Sequence, residues 1–71
     1  MNPFEELANA IVLQAVTDYR KALKALRINP KNKDVLSDST DCEAFFRSEW
    51  YSMLTSIDGE TLLSKLRSEV A

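Results

Sequence analysis

Apolar residues recur through the first 28 positions with the period of an α-helix. Phe4, Leu7, Ala8, Ile11, Ala15, Tyr19, Ala22 and Leu26 form one stripe. Val12, Val16 and Leu23 widen it to about half the circumference at roughly 100° per residue. Asn2 is placed to cap this helix, and Pro3 sits where a missing N–H costs nothing. Glu5 and Glu6 suit the positive end of its dipole; Lys24 and Arg27 suit the negative end. Asn29 before Pro30 ends it, because proline disfavours helical geometry in the residue before it. Residues 29–39 read as a polar connection with room for one short turn over 32–36, capped by Asn32. A second helix opens on the pair Thr40 and Glu43, spaced as a capping box. Its apolar positions are Cys42, Phe45, Phe46, Trp50, Met53, Leu54 and Ile57. Asp58 caps a third helix with a narrower stripe of Leu62, Leu63, Leu66 and Val70. The expectation is an all-α, three-helix bundle with helices at about 3–28, 40–56 and 58–70. Helices two and three form a tight hairpin, and the broad face of helix one lies across both.

A helical wheel of the second segment puts Phe45, Phe46, Trp50, Met53 and Leu54 on one face, with Arg47 and Tyr51 elsewhere. Such an aromatic stripe is first of all core, although Trp50 is large enough for its ring to reach the surface. Glu49 falls inside the apolar arc, where an isolated carboxylate is costly. It is expected either to pair with Arg20 or Arg67, or to serve as a surface carboxylate for a partner. Asp18, at the edge of the first stripe, has Arg47 as its candidate mate. Leu13, Ile28 and Tyr51 lie outside their stripes and matter only if the fold gathers them into one patch.

Composition narrows the chemistry. Seventy-one residues make one domain with a marginal core. One cysteine and no histidine leave neither an intramolecular disulfide nor the common zinc sites. No metal and no cofactor are therefore expected. Cys42, on the apolar side of its helix and without a basic neighbour, behaves as a small hydrophobe rather than a nucleophile. A single glycine cannot build a phosphate-cradling loop. Asp34, Asp38, Asp41 and Glu43 lack the spacing of a calcium loop; capping and solvation account for them. Ala10-Ile11-Val12-Leu13 follows two glutamates, so neither a signal peptide nor a membrane span is expected, and the cytoplasm is the expected compartment. No group is placed to activate another, which argues against an enzyme.

Six of the nine basic residues fall between Arg20 and Lys33: Arg20, Lys21, Lys24, Arg27, Lys31 and Lys33. They are the candidates for contact with nucleic-acid phosphates. The net charge of −2 and the position of the cluster at a helix C-terminus favour a solvated helix end instead. The run Phe45-Phe46-Arg47-Ser48-Glu49-Trp50-Tyr51 with Met53-Leu54 and Ile57-Asp58-Gly59-Glu60 adds a different line of argument, as do Ala15-Val16, Asp18-Tyr19-Arg20 and Ala22-Leu23. Together they resemble small uncharacterised helical proteins of Gram-positive gut bacteria, their prophages and integrative elements. The resemblance implies an accessory protein of a mobile element that acts by binding. The leading expectation is thus a small protein-interaction module, self-association included, with Leu13, Glu49, Trp50 and Tyr51 as partner-binding candidates.

Overall fold

The computed structural model describes residues 2–70. The Asn2 side chain accepts the Glu5 N–H at 2.8 Å and starts α1 (Pro3–Ile28), the spine of the molecule. Twenty-six residues at 1.5 Å each span about 39 Å, close to the 41 Å long axis of the fold. The chain continues through α2 (Lys33–Phe46), α3 (Glu49–Leu54) and α4 (Gly59–Val70), with no strand among the described residues. α1 touches all three other helices, as its broad apolar face predicts.

The all-α expectation holds, but the second helix differs from its expected bounds at both ends. It begins at Lys33, seven residues before the expected Thr40. The Asn32 side chain accepts the N–H groups of Asp34 and Val35 at 3.1 and 3.3 Å, so its turn nucleates a full helix. Ser39 and Thr40 are accommodated within it by donating their hydroxyls back to the Leu36 carbonyl, each at 2.9 Å. The capping box of Thr40 and Glu43 is therefore not formed.

At the other end the helix breaks at Ser48, whose backbone is extended. The Ser48 hydroxyl donates to the Phe45 carbonyl at 2.6 Å and accepts the Tyr51 N–H at 3.2 Å, closing α2 and capping α3 with one side chain. This break rephases everything after it. Tyr51 turns inward and is 2 % exposed, while Trp50 and Met53 turn out.

The core gathers Val16, Tyr19, Phe46, Tyr51, Leu63 and Leu66. Phe46 meets Tyr19 and Tyr51 edge-on, with ring centroids 6.0 and 5.5 Å apart. Above Phe46, polar groups tie three helices at one point. The Tyr19 hydroxyl donates to Glu43 at 2.7 Å and accepts from Arg67 at 3.1 Å, and Arg67 also reaches Glu43 at 2.9 Å. Burial alone would push Glu43 upward, but the hydrogen bonds from Arg67 and Tyr19 and the charges of Arg67 and Arg47 hold it below the ordinary glutamate range. Two further pairs close the bundle, Arg20 with Glu69 and Arg47 with Glu60. α4 starts on Asp58, whose carboxylate accepts both the backbone N–H and the hydroxyl of Thr61 at 3.0 and 2.8 Å.

Three predictions follow from this packing. A Cβ at Gly59 would run into the backbone carbonyl oxygen of Phe46, which has no room to move aside. Gly59→Ala should therefore lower unfolding stability in urea by about 1–3 kcal/mol, although alanine ordinarily favours a helix by about 1 kcal/mol. The Tyr51 hydroxyl is buried without a hydrogen-bond partner among the described residues, so Tyr51→Phe should leave stability unchanged or raise it by up to about 1 kcal/mol; a loss of stability would show that the hydroxyl is engaged. Because the folded-state pKa of Glu43 is depressed, its contribution is fully present above the ordinary glutamate range and lost as pH falls through the depressed value. Glu43→Gln should cost about 1–2 kcal/mol at neutral pH and flatten the acid limb of the stability profile, as read by denaturation at a series of pH values.

Candidate functional site: a groove along α1

α2 lies beside the Asp18–Ala25 stretch of α1, and Trp50 of α3 lies beside Ala10 and Ile11. Two adjoining cavities lie along the α1 flank. The larger, about 500 Å³, has Ala22, Ala25, Val35 and Cys42 among its walls, with Asp18, Asp38 and Asp41 and the single cation Lys21. The second, about 390 Å³, is bounded by Ile11, Gln14, Phe45 and Trp50. Asp18 belongs to both, so the two adjoin and are treated together as one shallow groove, rimmed by three aspartates at one end and by Phe45 and Trp50 at the other.

Helical spacing explains which α1 residues face it. Ile11, Gln14, Asp18, Lys21 and Ala25 recur every three or four positions, on one line that continues through Phe4 and Leu7. Phe4 and Leu7 are both exposed. Gln14 donates to Asp18 at 3.0 Å along the same line. On α2, Asp34, Asp38, Asp41 and Phe45 form a matching line at i, i+4, i+7 and i+11. Phe45 meets Trp50 edge-on at 5.8 Å, which holds the indole against the groove while it stays 58 % exposed.

The partner candidates separate. Trp50 borders the groove. Glu49 lies exposed in the first turn of α3; the guanidinium groups expected for it, Arg20 and Arg67, pair with Glu69 and Glu43 instead. The break at Ser48 removes Glu49 from the apolar arc that an unbroken helix would have given it. Leu13 is 63 % exposed but sits two residues, about 200° of helix rotation, from Ile11, on the opposite face of α1. Tyr51 belongs to the core, contrary to its expected position outside the stripe. Asp18 hydrogen-bonds to Gln14, and Arg47 takes Glu60 and Glu43 rather than Asp18.

The basic cluster is divided as well. Arg20 is paired with Glu69, and Arg27 donates to the Val70 carbonyl at 3.1 Å, so both guanidinium groups clasp α4. Lys21 lines the groove, and Lys24, Lys31 and Lys33 are exposed. Cys42 is half-buried in the groove wall, and its thiol is pushed up by burial and then by the charges of Asp18, Asp38, Asp41 and Glu43. A thiol held protonated is a poor nucleophile.

Val35, Asp38, Asp41 and Phe45 as a groove wall were not found from the sequence. The signal that could have found them is Asn32 taken as the cap of a long helix, which aligns Asp34, Asp38 and Asp41 at once. No group of three or more His, Cys, Asp or Glu side chains is placed to hold a metal among the described residues. No helix there is long and apolar enough to cross a membrane. Comparison with known protein families, with characterised proteins and with solved structures gave no significant match.

Proposed function

We propose that this chain is a small non-catalytic protein-interaction module, an accessory protein of a phage or mobile element, that docks a partner along the groove flanking α1. In this reading α1, α2 and α4 act as a three-helix bundle, and α3 is an insert that builds the aromatic end of the groove. The observation that carries it is Trp50, an indole left more than half exposed yet braced by Phe45 beside Ile11. Phe4 and Leu7 extend the same apolar line. Exposed aromatic and aliphatic side chains gathered next to a concave surface are typical of binding faces, whereas scattered ones are not. A single cysteine without a disulfide partner fits a cytoplasmic workplace.

The nucleic-acid reading is the weaker alternative, because Arg20 and Arg27 are already engaged with α4. The two readings differ in what they place beside the groove. With a photoreactive phenylalanine analogue in place of Gln14, irradiation in the native cytoplasm should give a discrete protein adduct. The same analogue in place of Ser64, exposed on α4, should not. Adducts to nucleic acid alone, or equal yields from the two positions, would remove the protein-docking reading. A duplex-DNA mobility shift at low salt, weakened by neutralising Lys24 and Arg27 together, would establish the alternative.

A further inference from the structure

We infer that the groove's occupant is a basic amphipathic helix of a partner protein, about four turns long; this rests on the docking reading above. Six of the eleven carboxylates form two contrasting sets of three. Glu43, Glu60 and Glu69 each hold an arginine and fasten helices together. Asp18, Asp38 and Asp41 surround the larger cavity with no ion pair among the described residues, and Lys21 is the one cation of the described lining. Asp38 and Asp41, one turn apart on α2, repel each other, and so does the pair Asp34 and Asp38. Asp34 is offset by the positive end of the α2 dipole, whereas Asp38 and Asp41 lie beyond the first turn and place their charge beside an apolar floor.

That surface selects its ligand by charge and shape. Lysine or arginine side chains would satisfy the aspartates, and aliphatic side chains on the same helix would fill the hollow over Ala22, Ala25 and Val35. A further apolar anchor would rest against Trp50 and Ile11. The stretch of α1 from Ile11 to Ala25 is about 21 Å long, which sets the length of the docked helix.

Trp50 is the only tryptophan, so its emission reports the groove directly. The full chain is titrated with two 18-residue helical peptides lacking tryptophan. They share one leucine stripe and carry either lysine or glutamate at all other positions. The lysine peptide should shift Trp50 emission to shorter wavelength in a saturable way, and its affinity should fall as salt is raised. Asp38→Asn with Asp41→Asn should weaken it about threefold to tenfold. Glu5→Gln with Glu6→Gln, the same charge change outside the groove, should leave it unchanged.

Equal binding of both peptides, or equal behaviour of the two double variants, would overturn the charge selection while leaving apolar docking in place. Failure of both peptides to move Trp50 would also overturn it, and the Gln14 cross-link then decides separately whether docking survives. A dimer in light scattering that the lysine peptide cannot dissociate would assign the groove to a second copy and overturn the inference as well.

Discussion

One buried hydroxyl organises this molecule. Tyr19 lies in the middle of α1 with its ring 0 % exposed, and its oxygen is the point where α1, α2 and α4 meet. A phenol that donates to a carboxylate and accepts from a guanidinium fixes both partners in direction as well as distance. Glu43 is then set over the core, and the heptad on its N-terminal side is set with it. Cys42, Asp41, Asp38 and Val35, on the same helix as Glu43, lie along the flank of α1. A core this small, with Phe46, Leu63 and Leu66 its largest aliphatic and phenyl contributions, leaves much of the positional precision to such polar contacts.

Arginine and lysine divide the electrostatic work. Arg20 and Arg47 each reach a glutamate through a planar, two-pronged contact, and Arg67 divides its guanidinium between Glu43 and the Tyr19 hydroxyl, geometries that an ammonium group cannot copy. The lysines stay on the rim or in solvent. Glu43, Glu60 and Glu69 span helix interfaces, while Asp18, Asp38 and Asp41 stay beside the helices that carry them.

Much of the fold was legible in the sequence because it rests on local signals. The ends of α1 follow from Asn2, Pro3 and Pro30, and the start of α4 from Asp58; both obey periodicity and capping alone. The second segment was misread for a reason equally local. Asn32, Thr40 and Ser48 are all competent caps, and sequence spacing does not show which of them the tertiary contacts employ. The structure uses Asn32 and Ser48 and leaves Thr40 inside a helix. The cap at Ser48 accounts for the misplacement of Tyr51 and Glu49, and the cap at Asn32 for the unseen aspartate row. Trp50 was recoverable because a ring of its size reaches the surface in either phase.

The separation of the Tyr19 contacts along the chain carries a kinetic consequence. Glu43 is 24 residues away and Arg67 is 48. Each doubling of a closed loop adds about 0.6 kcal/mol of chain entropy, so the nearer contact is roughly threefold easier to close. The α1–α2 hairpin should accordingly form before the last helix docks, and Arg67 acts as a latch on a pair already assembled. The partly folded species on that route already carries both walls of the larger cavity, so a ligand present during synthesis could meet that part of the groove before the molecule is complete.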